Sequence, residues 1–376
     1  MAQVHGTTTE KFAALRDVLS NQLDSGADVG ASIAVVHRDE LVVDIWGGHT
    51  DAAKTKEWER DTIVNVWSTT KTMTFLVALM LVDRGELDFF APVAKYWPEF
   101  AANGKENIEV RHLMAHSAGL SGWEDIAPEQ IADWELSTAK LAAQTPWWTP
   151  GDGSGYHLVT QGHLIGEVVR RITGETIGQF FKREVADVLN ADFHIGLPES
   201  EEHRVSIVIP PPPLDASQLG IEPGSVAYKS YTGPLLDATY PQHRWWRAAE
   251  IPAANGHGNA RSVATIQAII AGKGQTQGRR FFSEATSDLI FQSQSHGVDR
   301  ILGTEIHFGM GYGLASSIMP LGPRACYWGG YGGSVIIMDQ DADLTIAYMM
   351  NRMDSVLTGD VRGATVAMTA AIAAMS

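Results

Sequence analysis

Ser68-Thr69-Thr70-Lys71 stands at the head of the apolar run Met73-Thr74-Phe75-Leu76-Val77-Ala78-Leu79-Met80-Leu81-Val82, which stops at Arg84-Gly85. The run is apolar almost all round. It therefore predicts a buried central helix rather than a surface one, with Arg84-Gly85 as its C-terminal stop. Ser68 then falls at the helix N-terminus, and Lys71 lies one turn up the same face. A serine hydroxyl is a poor nucleophile until a base takes its proton. A desolvated ammonium at the positive end of a helix has its pKa pushed down, which makes Lys71 a candidate for that base.

The S-x-x-K pattern occurs a second time, at Ser137-Thr138-Ala139-Lys140. That copy follows the polar stretch Asp133-Trp134-Glu135-Leu136, has no long apolar run behind it, and reads as an exposed helix start. Two segments downstream of Ser68 separate the copies: Gly153-Ser154-Gly155-Tyr156-His157 and Tyr327-Trp328-Gly329-Gly330-Tyr331-Gly332-Gly333-Ser334. Taken alone, a tyrosine after a glycine-rich turn is a packing residue, and a glycine run beside a strand is a bulge or hairpin.

Taken in order, the three segments resemble the penicillin-recognising serine hydrolases, which carry S-x-x-K, a tyrosine or serine motif, and K-T-G or a variant. The chain resembles the class C β-lactamase branch, and within it the family VIII carboxylesterases, in which Trp-Gly-Gly replaces K-T-G. The segment Val110–Leu120 is similar to a leucine-rich family segment, and the resemblance runs from about Val29 to Arg352. One departure is visible: His157 and Leu158 follow Tyr156, so the Y-x-N form is absent.

The resemblance implies an α/β (α+β) two-lobe fold of β-lactamase type, with an antiparallel sheet flanked by helices and a mainly helical inserted lobe. It implies Ser68 as nucleophile, with Lys71 and Tyr156 handling its proton and a nearby cation favouring phenolate character on Tyr156. The oxyanion hole would be the backbone N–H groups of Ser68 and Tyr331. Trp328, Gly329, Gly330 and Tyr331 would contact substrate, as would Asn255 and His257, for which loop-to-helix capping is the competing explanation. Trp328 stands where relatives carry the basic residue of K-T-G. It offers one neutral donor and an apolar face, which favours a small neutral ester over a carboxylate-bearing β-lactam. Arg261 is a candidate for supplying the missing charge. The expected activity is carboxylester hydrolysis on short- to medium-chain acyl groups through an acyl-serine, with weak β-lactam hydrolysis. A β-lactamase, a D-amino-acid peptidase or amidase, and an acyltransferase share that intermediate. A silent penicillin-recognising binding module is the non-catalytic alternative, against which the joint retention of Ser68, Lys71 and Tyr156 argues. G-x-S-x-G, the mark of the main rival esterase fold, is absent.

No metal and no cofactor are expected. His112 and His116 are four apart, but H-E-x-x-H is missing and a structural role for His116 fits better. The single cysteine, Cys326, excludes an intrachain disulfide and a cysteine-based zinc site. A formal net charge of −16 argues against nucleic acid or anionic membrane as partner. The start of the sequence shows no basic and apolar leader pattern, and no apolar stretch is long enough to span a bilayer, so a cytoplasmic protein is expected. The oligomeric state is open.

At 376 residues the chain predicts two lobes. Residues 1–109 and 254–376 would form the α/β lobe, residues 110–253 the helical insert with an irregular loop at 210–250, and the site would lie in the cleft between them. Thr7-x-x-Glu10 reads as a capping box opening a helix that Asp24-Ser25-Gly26 closes. Ala31–Val36 and Leu41–Trp46 read as a hairpin, and Ala325–Trp328, Ser334–Met338 and Leu344–Met350 as antiparallel strands, followed by a helix from about Ser355. Pro210-Pro211-Pro212-Pro213 opens a stretch, running to Trp245-Trp246, whose aromatics are expected to wall an acyl pocket.

Overall fold

The computed structural model describes residues 2–212, 221–234 and 236–376. Nine strands form one antiparallel sheet: β1 (Val4–Thr8), β2 (Gly30–His37), β3 (Glu40–Gly48), β4 (Ser295–Val298), β5 (Glu305–Phe308), β6 (Gly313–Leu314), β7 (Ala325–Gly329), β8 (Val335–Asp339) and β9 (Leu344–Met350). Their order across the sheet is β1-β3-β2-β9-β8-β7-β6-β5-β4. The β2–β9 pair thus joins Ala31 to Met350 and His37 to Leu344, residues from opposite ends of the chain. Both strands of that pair are buried along their whole length, which explains why they read as continuous apolar runs instead of alternating ones.

Five helices matter here: α1 (Ala14–Ser25), α2 (Lys71–Asp83), α3 (Thr160–Thr173), α4 (Ala260–Ala271) and α5 (Val361–Met375). Along β9 successive side chains face opposite ways. Thr345 lies beside Ala268 and Ala271 of α4, and Tyr348 lies against Gly363 of α5. Helices α1 and α5 therefore pack together on one face and α4 covers the other. Helix α2 is buried from Lys71 to Leu81 and packs on α3, with Phe75 edge-on to Tyr312 at 5.2 Å. Among the described residues 110–253 the regular structure is helical but for one short strand, Phe193–His194, which pairs with His257–Gly258, itself paired with Val64–Asn65.

Several expectations are corrected. Thr7 does not cap a helix: it lies in β1, paired with Asp44, and α1 starts only at Ala14 after a 3-10 turn over Glu10–Phe12. Gly26 ends α1 in the left-handed region at φ +75°. The last helix starts at Val361, not near Ser355, because Asp360 caps it by accepting from Arg362 N and Gly363 N. Strands β4 to β6 were not anticipated, being short and rich in polar and glycine residues. The irregular stretch carries a helix at Val226–Thr232 and another at Arg244–Ala248; its residues 213–220 and 235 lie outside the described residues. Among the described residues no helix is long and apolar enough to cross a membrane.

The burial of Phe75 gives a direct test of α2 as the core element. Phe75→Ala should lower unfolding free energy by about 3–5 kcal/mol, measured by urea denaturation.

Candidate active site

Ser68 is the second residue of a 3-10 turn, Trp67–Thr70, that precedes α2 instead of forming its first turn. The turn is held from two sides. Val66 N donates to Gly256 O at 2.9 Å, and Gly256 N donates to Thr70 Oγ1 at 2.8 Å. Opposite, Ser334 Oγ donates to Val66 O at 2.9 Å and lies 3.0 Å from Thr69 Oγ1. Trp67 adopts φ +49°, a conformation uncommon for a bulky residue, which persists only where the surroundings over-determine it. Here the rings of Trp246 and Tyr331 pack against it at 5.6 and 5.4 Å.

Lys71 is fully buried. Its Nζ donates to Leu158 O at 2.7 Å and Ala253 O at 3.0 Å, and lies 3.1 Å from Ser68 Oγ. Burial without a countercharge pushes the amine well below the ordinary lysine pKa. A neutral amine has two N–H bonds and one lone pair. With both N–H bonds taken by carbonyls, the lone pair faces the Ser68 hydroxyl.

Tyr156 lies in the loop before α3 and is also buried. Trp328 Nε1 donates to its hydroxyl at 3.1 Å, and Lys71 Nζ sits over its ring, 4.7 Å from the centroid. Burial raises the phenol well above its ordinary pKa; hydrogen bonds with Ser68 and Trp328 pull the other way, and the charge of Asp299 pushes it up further. The expected phenolate character is thus overturned. Lys71 faces the ring rather than the oxygen and is itself held toward neutrality, so Tyr156 rests as a phenol.

The groups that fix this tyrosine include Asp299, which no sequence pattern marks, and His116, in the structural role expected of it. Tyr156 N donates to Asp299 Oδ1 at 3.0 Å, and His157 N donates to His116 Nδ1 at 3.0 Å. His157 Nε2 accepts from Leu120 N at 3.2 Å, so its Nδ1–H is the donor to Gly155 O at 2.7 Å. Burial holds His157 neutral, at a pKa of about 3, and pushes His116 well below the usual range. His112 takes no part: its Nδ1 accepts from Glu109 N.

Trp328 was expected to present its face to a substrate. Instead its ring is wholly buried among Tyr156, His116 and Phe308, with its single donor committed to Tyr156. The glycines beside it serve close approach. A Cβ on Gly330 would come within 2.4 Å of Val66 O, and one on Gly329 within 2.7 Å of Gly359 N. Gly330 thus lets the end of β7 lie against the Ser68 turn, whereas Gly329 faces residues 358–359. Gly330 O accepts from Gly333 N at 3.2 Å and Gly359 N at 3.4 Å. Across a trans peptide the N–H points opposite to the C=O, so the Tyr331 N–H is turned away from these bonds. Neither it nor the Ser68 N–H donates to a protein acceptor among the described residues.

The remaining candidates are built into the scaffold. Asn255 donates to Trp246 O and Ala249 O and accepts from Ile251 N. His257 is buried, with Nδ1 on Asn255 O. Asn259 caps α4, and Arg261 is engaged by Asp44 and Asp61, which leaves it no role as a substrate cation. Of the aromatics expected to wall an acyl pocket, Trp246 does not: it is fully buried and donates to Asn65 Oδ1 at 2.9 Å, supporting Trp67 from behind. The second S-x-x-K is not an exposed helix start. Ser137 is buried within the helix Trp134–Ala143, its hydroxyl bonded to Gln130 O and Ile131 O.

The sheet with its flanking helices, and the Ser68–Lys71–Tyr156 cluster at the foot of α2, define a chain of β-lactamase type. The model of the Beta-lactamase family matches residues 15–370, and the chain belongs to that family. It is 33% identical over 378 residues to Esterase/beta-lactamase LipL of Mycobacterium tuberculosis, covering 94% of this chain and 84% of that protein. It is 25% identical over 366 residues to Esterase EstB of Burkholderia gladioli, covering 86% of each. The crystal structure of a family VIII carboxylesterase is similar to it with a TM-score of 0.92 and 37% identity, covering 99% of this chain and 100% of that one.

A fluorophosphonate probe should modify Ser68 and leave Ser137 untouched, as read by peptide mapping. Ser68→Ala should abolish labelling, and Ser137→Ala should retain it.

Proposed function

We propose that this protein is a serine carboxylesterase acting on short- to medium-chain acyl esters through an acyl-Ser68 intermediate. The observation that carries this reading is the buried Lys71 amine, 3.1 Å from Ser68 Oγ, with both its N–H bonds committed to carbonyls. Ser68 Oγ attacks the ester carbon as its proton passes to Lys71 Nζ. The carbonyl oxygen gains the negative charge and is received by the N–H groups of Ser68 and Tyr331. On collapse the bond to the alcohol breaks, and the leaving alkoxide takes a proton from the Lys71 ammonium, directly or across the Tyr156 hydroxyl. A water then repeats the sequence on the acyl-serine, giving up its proton to Lys71, and the acid leaves as Ser68 is reprotonated.

A neutral substrate is supported by the charge of the site. Lys71 and His116 are pushed toward their neutral forms, Tyr156 stays a phenol, and Trp328 carries no charge. Nothing in this cluster rewards the carboxylate of a penicillin or cephalosporin. The names of EstB and of the family VIII carboxylesterase agree with this reading, and LipL is named both esterase and β-lactamase. We place the protein in the cytoplasm, in keeping with the buried, unpaired thiol of Cys326.

Neutral p-nitrophenyl esters should exceed a chromogenic cephalosporin in kcat/KM by orders of magnitude. Equal efficiency would reassign the enzyme as a β-lactamase.

The pH dependence follows from the signs of the shifts. Below its lowered pKa Lys71 is charged and accepts no proton, so kcat/KM should fall as pH drops through that value. The raised Tyr156 should leave the alkaline side flat to about pH 10, where an ordinary tyrosine ionises. Lys71→Ala and Tyr156→Phe should each cost at least ~10²-fold in kcat. The double variant should be little worse than the poorer single, because the two act as a unit.

A further inference from the structure

Arg362, in the first turn of α5, is almost entirely buried, and every N–H of its guanidinium has a partner. Nε donates to Asp360 Oδ2 at 2.8 Å. Nη1 donates to Asp28 Oδ1 at 2.7 Å, Arg352 O at 2.8 Å and Ala27 O at 3.0 Å. Nη2 donates to Asp360 Oδ2 and, at 2.7 Å, to Gly332 O. The last of these bonds connects a buried ion cluster to the turn that presents the Tyr331 N–H. The turn rests directly on the cluster: at Gly333, with φ +131°, a Cβ would lie 2.4 Å from Asp360 Oδ2 and 2.6 Å from Arg362 Nη2.

The neighbouring segment closes the same turn. Gly332 N donates to Val356 O at 2.8 Å, Asp354 N donates to Gly332 O at 2.9 Å, and Gly359 N reaches Gly330 O. Between them, residues 353–362 fix Gly330 and Gly332, the two glycines that flank Tyr331. Only a planar fork with five donors satisfies two carboxylates and three carbonyls at once; an ammonium has three donors and no fixed plane.

We infer that Arg362 is a positioning residue for the oxyanion-binding turn, holding Gly332 so that the Tyr331 N–H stays aimed at the reacting oxygen. This rests on the reading of Ser68 as the acylated nucleophile. A role confined to anchoring α5 would affect stability alone. A role in the turn weakens transition-state binding while leaving ground-state binding in place.

The test compares wild type with Arg362→Lys on p-nitrophenyl acetate, with folded sites counted by fluorophosphonate labelling carried to completion. Asp360→Asn, which keeps an oxygen for the helix cap but removes the Arg362 acceptor, serves if the first variant does not fold. Kcat per labelled site should fall about 10- to 100-fold with KM nearly unchanged, somewhat less than deletion of an oxyanion donor costs. Phenylboronic acid, whose serine adduct places an oxygen in the hole, should lose affinity by a similar factor. Hydrogen exchange in the peptide covering residues 329–334 should quicken more than in that covering 64–80. If the folded variants keep kcat and boronate affinity within about twofold of wild type, the inference is wrong and the esterase reading stands. If wild type itself neither turns over esters nor labels at Ser68, that reading falls. The exchange data then decide alone whether Arg362 holds the turn, unchanged exchange overturning it.

Discussion

A lysine amine enclosed with no carboxylate beside it is the constraint around which this molecule is arranged. Carrying a full charge into such a place is costly, and proteins resolve the cost by pairing or by losing the charge. Here the hydrogen-bond partners of Lys71 among the described residues are the carbonyls of Leu158 and Ala253 and the hydroxyl of Ser68, with the Tyr156 ring beside it. The solution requires three distant stretches of chain to converge: the Ser68 turn, the loop before α3, and the segment before Asn255. The short pairing of Val64–Asn65 with His257–Gly258 brings the first and the last of these together. The ring of Tyr156, packed among Trp328, His116 and Phe308, lies against the buried amine.

Much of this was legible in the sequence because it is written in local patterns. The run from Met73 to Val82 announces its helix by composition alone, and the continuous apolar strands at Gly30–His37 and Leu344–Met350 announce a sheet covered on both faces. Ser68, Lys71 and Tyr156 could be picked out because their motifs have fixed spacing. What stayed hidden was whatever depends on long-range backbone contacts. No pattern reveals that the Lys71 partners are main-chain carbonyls, since every residue has one. Asp299 and Arg362 act on Tyr156 and Gly332 from 143 and 30 positions away, and neither sits in a recognisable motif.

The errors have a common physical source. Trp328, Asn255 and His257 were assigned to substrate from the family resemblance, and Trp246 to an acyl pocket from its place at the end of a long irregular stretch. Each instead satisfies an interior requirement: a donor for a phenol, a wedge behind Trp67, or a clamp on its own loop. Residue type indicates what chemistry a side chain can do, whereas burial decides whether it faces a ligand or a neighbour. The phenolate expectation failed likewise, because it assumed a charge on Lys71 that its surroundings withhold.

The pairing of β2 with β9 carries a consequence for the life of the chain. Residues 30–37 find their partner only in residues 344–350, and contacts of such separation make folding slow and late. The nucleophile and its base are therefore synthesised long before the sheet that supports them can close, and longer still before the oxyanion turn is backed by residues 353–362. The catalytic pair thus gains its full support only once residues 344–362 have joined the sheet and the oxyanion turn.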